Sequence, residues 1–158
     1  MQTSTGWQPT FRSDQPMDSR QWPTYLPSDL RADWDLVISA HHNLLLVGTS
    51  SATNEMLVAM KPHLRTPIHQ YALKSGGLLP QPVEGTLILS EVARLELKQQ
   101  TQLLRWLDQF HTRSHVQVVS TTCEPLFKLV ETGAFLPHLY YRLNVVLIEL
   151  TASGEENL

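Results

Sequence analysis

Three features are scarce in this sequence of 158 residues: cysteine, long apolar runs and clustered positive charge. The single cysteine, Cys123, excludes a disulfide within the chain and favours a reducing compartment. No apolar stretch approaches the roughly 20 residues that span a bilayer, and the polar segment at residues 1–11 has no apolar signal core. These absences predict a cytoplasmic protein that does not enter the membrane.

Basic residues are dispersed along the chain. The 12 Lys and Arg are outnumbered by 15 Asp and Glu, which gives a formal net charge of −3. Because nucleic acids and anionic membranes are normally bound by a basic patch, we expect neither direct DNA binding nor membrane binding. Hydrophobic residues make up 42% of the chain and charged residues 17%, a composition typical of a soluble globular domain with a sizeable core.

Seven histidines raise the question of a metal site. His41 and His42 are adjacent and would point apart, and His111 and His115 need not share a face because His115 begins a predicted strand. No cysteine or carboxylate cluster completes a ligand set, so we expect no metal site. We interpret Cys123 as a small buried residue at a strand end rather than a reactive thiol.

The chain divides into a domain and two tails. Residues 1–27 carry four prolines among Gln, Ser and Thr, and proline disfavours regular helix, so this segment is predicted to be extended or disordered. Its aromatic residues Trp7, Trp22 and Tyr25 would be the ones to dock on the domain or on a partner. Residues 28–151 are predicted to form one domain, and residues 152–158 a second disordered tail.

Apolar runs and helical periodicity alternate within the domain. Five strands are predicted, at residues 44–47, 68–73, 86–89, 116–120 and 145–150. Helices are predicted at residues 29–40, capped by Ser28, at residues 91–110, and at residues 124–131, with Pro125 in the first turn and Gly133 past the end. This alternation predicts an α/β fold with a mainly parallel sheet, in which the apolar segments 44–47 and 86–89 are inner strands.

Five segments carry a resemblance to one known family. They read LLLVGTSSATNE at residues 44–55, GTLILSE at 85–91, KQQTQLLRWLDQF at 98–110, VQVVSTTC at 116–123 and GAFLPHLYYRLNVVLIEL at 133–150. In this order they resemble the central AAA+ ATPase domain, or sigma-54 interaction domain, of bacterial sigma-54-dependent transcriptional activators. The resemblance implies a P-loop NTPase-like, three-layer α/β/α sandwich with a five-stranded, mainly parallel sheet, and no lid domain before the last residue, Leu158.

The phosphate-loop segment departs from the family pattern Gly-Glu-Ser-Gly-Thr-Gly-Lys-Glu. The corresponding residues here are Gly48, Thr49, Ser50, Ser51, Ala52, Thr53, Asn54 and Glu55. Two glycines that let the backbone wrap phosphates are missing, and the lysine that pairs with the terminal phosphates is Asn54. Losing that charged partner should cost at least about 1.5–3 kcal/mol of binding free energy.

Other motif positions also differ. The resemblance assigns Ser90 and Glu91 to the Asp-Glu pair that holds magnesium and polarises water, and Thr122 and Cys123 to the sensor Thr-Asn. Leu136 stands at the first interface arginine, whereas Arg142 matches the second, the counterpart of an arginine finger. Residues 56–84 lack the family's Gly-Ala-Phe-Thr-Gly-Ala loop that contacts sigma-54, and a short turn at residues 75–77 and 80–82 is expected in its place.

These departures favour a non-catalytic module of bacterial transcription control, a pseudo-ATPase that requires no cofactor. Its expected partner is a protein, either an intact AAA+ activator or a second copy of the chain. The alternative is a divergent ATPase that retains ATP and magnesium binding through residues 48–55 and Glu91. A fragment without a selected role is a third interpretation. The amide of Asn54, which cannot replace a lysine charge, favours the first.

Overall fold

The computed structural model describes residues 30–73, 77–82, 84–110 and 116–150. The predicted tails at residues 1–27 and 152–158 lie outside these ranges, as do Ser28, residues 75 and 76, and His111 and His115. The helices are α1 Arg31–Ile38, α2 Ser50–Met60, α3 Leu97–Phe110, α4 Leu126–Glu131 and α5 Pro137–Leu143. The strands are β1 Leu44–Val47, β2 Ile68–Ala72, β3 Thr86–Ser90, β4 Gln117–Thr122 and β5 Val146–Glu149.

The five strands form one sheet in the order β2-β3-β4-β1-β5. All four pairings are parallel, with Leu44 of β1 opposite Val119 of β4 on one side and Val146 of β5 on the other. The prediction that β1 and β3 are inner strands is therefore confirmed. Their apolar side chains are buried on both faces of the sheet, which is the environment that a continuous apolar run requires.

Two hydrophobic clusters pack on opposite faces of the sheet. One joins α1 and α2 to the sheet through Trp34, Val37, Met56, Leu57 and Met60, which pack against Leu44, Leu46, Ile88, Val119 and Ile148. The other joins α3, α4 and α5 through Leu103, Trp106, Leu126, Leu139 and Leu143, which pack against Leu45, Leu87, Leu89 and Val118. Alternate residues of β1 point to the two clusters, so the predicted three-layer sandwich is confirmed.

The start of α3 differs from the prediction. The helix predicted to begin at Glu91 begins at Leu97, after a short 3₁₀ turn at Val92–Arg94. Glu91 itself has a φ of 60° and a ψ of 55°, a left-handed conformation that interrupts the chain between β3 and the turn. The helical spacing of Leu95 with Leu103 indicated a longer helix. Leu95 is indeed buried, but its backbone is extended and it precedes the helix.

Smaller differences affect the other helices. α1 begins at Arg31, with Leu30 at the N-cap position and no side-chain cap, and the predicted cap Ser28 lies outside the described residues. Pro125 lies at the N-cap of α4 rather than in its first turn. Gly133 follows α4 as predicted, with a φ of 79° and its N–H donating to the Val130 oxygen at 3.2 Å. α5 is not among the predicted helices, although Pro137 occupies its first turn.

Candidate functional site

The phosphate-loop, magnesium and sensor positions lie at one edge of the sheet. Gly48 follows β1, Glu91 follows β3 and Cys123 follows β4, and β4 lies between β1 and β3. Because all strands are parallel, these carboxyl ends meet at the edge where α/β folds bind ligands. The structure therefore brings together three of the segments that the resemblance assigned to nucleotide chemistry.

The phosphate-loop segment is mostly helical. α2 begins at Ser50, so only Gly48 and Thr49 separate it from β1. Thr49 is the N-cap residue: its Oγ1 accepts a hydrogen bond from the Ala52 N–H at 3.2 Å, and its carbonyl oxygen accepts one from the Thr53 N–H at 2.9 Å. Backbone donors at residues 52 and 53 are thus satisfied within the helix.

Close packing against Leu150 explains why residue 48 is a glycine. A Cβ atom at this position would lie 3.0 Å from the Leu150 Cβ and 3.1 Å from the Leu150 oxygen. The Leu150 backbone is held there, because its N–H donates to the Val47 oxygen at 2.7 Å. The Gly48 N–H in turn donates to the Thr122 oxygen at 3.0 Å. The glycine is therefore needed for close approach of the chain that leaves β5.

The residues at the end of the segment face different environments. Thr53 is buried, and its hydroxyl lies 3.1 Å from the Thr49 oxygen and 3.2 Å from the Ser50 oxygen. Asn54 and Glu55 are exposed on the outer face of α2, and Ser51 is exposed one turn before them. The position at which the family carries its phosphate-binding lysine is therefore on a solvent-facing surface of the helix.

A chain of side-chain contacts crosses this edge of the sheet, and we call it the Cys123 bridge. The Cys123 thiol donates to the Glu91 carboxylate with a Sγ–Oε1 distance of 3.0 Å, and Ser50 Oγ lies 3.7 Å from the same sulfur. The hydrogen bond to Glu91 is the largest cause that raises the pKa of the Cys123 thiol, and the contact with Ser50 opposes it. The thiol therefore stays protonated as a donor.

Cys123 is exposed, so its interpretation as a buried strand-end residue is wrong. β4 continues two residues beyond its predicted end and places Thr122, not Cys123, at its buried terminus. The Thr122 hydroxyl donates to the Glu124 oxygen at 2.8 Å and orders the turn that follows. The Glu91 N–H is also held, donating to Thr121 Oγ1 at 3.2 Å, and Ser90 is half-buried at the end of β3.

Arg142 lies toward the opposite edge of the sheet. Its backbone oxygen accepts from Asn43 Nδ2 at 3.0 Å, and Asn43 immediately precedes β1. The Val146 N–H, at the start of β5, donates to the Asn43 oxygen at 3.0 Å. The Arg142 guanidinium forms an ion pair with Asp108 of α3. Within one chain, Arg142 and the Cys123 bridge are thus separated by the length of the strands.

Gln100 organises the segment before α5, a role that the sequence analysis missed. The side chain is fully buried; its Nε2 donates to the Leu95 oxygen at 3.0 Å and the Ala134 oxygen at 2.9 Å. Its Oε1 accepts from the N–H of Leu136, the N-cap residue of α5, at 2.8 Å. Gln100 lies in the segment KQQTQLLRWLDQF that carries part of the family resemblance, and that segment was the signal that could have identified it.

Two general features concern only residues that the structure describes. In those ranges, no three His, Cys, Asp or Glu side chains are placed to hold a metal ion together. None of the described helices is both long enough and apolar enough to cross a membrane. His41 and His63 have lowered pKa values, His63 through burial and His41 through burial and then the nearby Arg65 charge.

Comparison with known proteins places these features in a family. The family model described as the sigma-54 interaction domain matches residues 28–152. The chain is 37% identical over 86 residues to the DNA-binding transcriptional regulator NtrC of Rhizobium meliloti, covering 49% of the chain and 18% of NtrC. It is 32% identical over 83 residues to the transcriptional regulatory protein TyrR of Enterobacter agglomerans, covering 47% of the chain and 16% of TyrR. The matches thus span less than a fifth of these relatives.

Solved structures show the same fold. NtrX from Brucella abortus in complex with ADP superposes with a TM-score of 0.63 at 21% identity, covering 78% of this chain and 36% of NtrX. The P-loop NTPase domain of a sigma-54 activator from E. coli gives a TM-score of 0.57 at 20% identity, covering 75% of this chain and 94% of that domain. Together with the parallel sheet, these similarities show the α/β P-loop NTPase-like fold that the sequence predicted. The chain belongs to the sigma-54 interaction domain family.

Proposed function

We propose that this sigma-54 interaction domain is non-catalytic and acts in transcription control by binding another protein. The observation that carries the proposal is the conformation of the phosphate-loop segment. Ser50–Thr53 are part of α2, and Thr49 caps the helix with its own side chain. A phosphate loop instead presents free backbone N–H groups around the anion, and glycines make that path accessible.

The chemistry of the edge supports the same proposal. Binding a triphosphate would require α2 to unwind by one turn and the N–H groups of Ala52 and Thr53 to leave Thr49. It would also require Glu91 to release the Cys123 thiol. A lysine and an aspartate would compensate for these losses, but the corresponding residues here are Asn54 and Ser90. Residual nucleotide binding, the alternative function, therefore has to overcome both local structure and missing charge.

Support for protein binding comes from α5. Tyr141 is 64% exposed, and Arg142 lies beside it with a 35% exposed side chain. Tyrosine and arginine are the residue types that most often dominate the binding energy of protein interfaces. Arg142 lies away from the Cys123 bridge and pairs with Asp108, so its guanidinium does not serve the edge site of its own chain.

Nucleotide binding is tested by calorimetry with ATP and magnesium. We expect no saturable heat from the wild-type chain, and none from Asn54→Lys, because a restored charge does not reopen the helical loop. Val58→Lys is the matched control, since Val58 is 55% exposed on the same helix. Tight magnesium-dependent binding by the wild type would refute the proposal. Binding by Asn54→Lys but not by Val58→Lys would show that α2 does not block the site.

The transcriptional role is tested in an open-complex assay with sigma-54 polymerase. Alone with ATP, the chain is expected to give no stimulation, because residues 56–84 contain no Gly-Ala-Phe-Thr-Gly-Ala motif. Mixed with an intact activator, it is expected to inhibit, and Arg142→Ala should relieve that inhibition. Stimulation by the chain alone would contradict the proposal, as would a mixture in which the intact activator is unaffected at saturating amounts of the chain.

A further inference from the structure

A groove lies between α3 and α5 on the surface of the domain. Its walls are Leu104 and Asp108 of α3 together with His138, Tyr141 and Arg142 of α5, and it encloses about 400 Å³. A second hollow of about 380 Å³ lies along α3. Leu104 and Asp108 line both hollows, and Arg105 lines only the second. The two hollows adjoin at Leu104 and Asp108 and together present a partly apolar concave surface.

The charges of this groove are unequal. Arg142 and Arg105 contribute two guanidinium groups, and the acidic residue among the lining side chains is Asp108. Asp108 already bonds to Arg142, with both side chains partly in solvent at 54% and 35% exposure. Arg105 is exposed and forms no ion pair within the ranges that the structure describes. The surface is thus complementary to an anionic group such as a carboxylate.

We propose that this groove binds an acidic segment of a protein partner, and that a partner carboxylate replaces Asp108 on Arg142. The inference rests on the proposed function, for which it names the surface and the chemistry of the partner. An exposed ion pair is weak because water screens it, so exchanging one carboxylate for another costs little. The planar guanidinium donates hydrogen bonds to a carboxylate from either source, so a partner carboxylate can take the place of Asp108.

Side chains around the Arg142–Asp108 pair favour a partner segment that carries apolar residues next to its acidic residue. Tyr141 presents most of its ring to solvent beside Arg142, and the Leu104 side chain contributes a half-buried apolar surface. An acidic segment that also carries leucine-like side chains would cover both. In this arrangement Asp108 acts as an internal competitor, which occupies Arg142 until a partner carboxylate arrives.

The experiment measures fluorescence anisotropy of a short labelled peptide that repeats Glu-Glu-Leu, with a Lys-Lys-Leu peptide as the charge control. The acidic peptide should bind the full chain at least about tenfold more tightly than the basic one. Arg142→Gln should weaken acidic binding about tenfold, as expected for one lost charge-assisted contact. Arg31→Gln, an exposed arginine on α1, is the matched control and should leave binding unchanged. Asp108→Asn should strengthen binding several-fold because the competitor is removed.

Several results would overturn the inference. These are equal binding of the two peptides, unchanged affinity in Arg142→Gln, or no gain in Asp108→Asn. Thermal melts of all three variants establish that they fold, and Arg142→Lys, which keeps the charge without the fork, should bind with intermediate affinity. Arg142-dependent dimerisation in sedimentation without peptide would place a second copy in the groove instead. Failure of the peptide leaves the absence of ATP binding untouched, so the two proposals fail separately.

Discussion

The α3–α5 side and the carboxyl edge of the sheet are held together in different ways. On the first, buried Gln100 bonds to three backbone groups on two segments, and Asn43 ties α5 to the sheet. On the second, the contacts between segments include the Cys123 bridge, which runs through an exposed thiol. Buried hydrogen bonds are costly to break, whereas exposed ones exchange with water at little cost.

The difference shows where this domain's stability and its candidate chemistry are located. The α3–α5 unit contains two of the segments that resemble the family, at residues 98–110 and 133–150, and its buried Gln100 bonds to backbone groups in the interior. At the carboxyl edge, Asn54, Ser90 and Cys123 stand where the resemblance places a lysine, an aspartate and an asparagine. Their exposed or half-buried positions explain why the fold accommodates these replacements.

The largest expected effect is on the α3–α5 side. Gln100→Leu would leave the Leu95 and Ala134 oxygens and the Leu136 N–H without their side-chain partner, so we expect a loss of about 2–4 kcal/mol in the free energy of unfolding. Urea denaturation followed by circular dichroism measures it. Gln109→Leu, on the exposed face of the same helix, is the control and should change stability by no more than about 0.5 kcal/mol. Similar values for the two variants would remove the contrast between the two regions.

An intermediate effect is expected at Gly48. Gly48→Ala brings a methyl group within 3.0 Å of Leu150, whose backbone is held by Val47. We expect a loss of about 1–2 kcal/mol in the absence of any nucleotide, because the packed neighbour has to move. Ser51→Ala, at an exposed position of α2, provides the comparison in the same denaturation experiment. A neutral Gly48→Ala would show that the glycine has no packing role and would return it to the phosphate-loop interpretation.

The smallest expected effect on stability is at the Cys123 bridge. Glu91→Gln removes the main cause that raises the thiol pKa, so the pKa should fall and more thiolate should form at about pH 8.5. Faster alkylation by iodoacetamide measures this change, and Glu124→Gln, a neighbouring exposed carboxylate, should leave the rate unaltered.

The sign of the stability change at this site follows from the raised pKa. The bridge stabilises the folded chain at pH values below the thiol pKa of the unfolded chain, and this contribution is lost as the pH rises through the higher folded pKa. Because the thiol is exposed, the contribution is small. A large drop in stability of Glu91→Gln at neutral pH would mean that the bridge is as structural as Gln100.

Residue patterns alone were enough to predict the fold class and the strands. β1 and β3 were correctly predicted as inner strands, because a strand that is buried on both faces of a sheet is apolar at nearly every position. The motif segments, read in order, also identified the family. These signals are local: they depend on which residue types follow one another and need no knowledge of what packs against them.

The conformations at the carboxyl edge and at the helix ends depend on how the chain packs. Glu91 lies in a left-handed conformation where the chain leaves β3 and enters the 3₁₀ turn, although the surrounding spacing favours a helix. Ser50–Thr53 wind into α2 because Thr49 supplies the cap and Leu150 packs closely against Gly48. The pairing of Arg142 with Asp108 and the bond from Leu136 to Gln100 join residues far apart in sequence. The exposure of Cys123 likewise depends on its surroundings. Such contacts depend on how the chain packs, which local residue patterns do not encode.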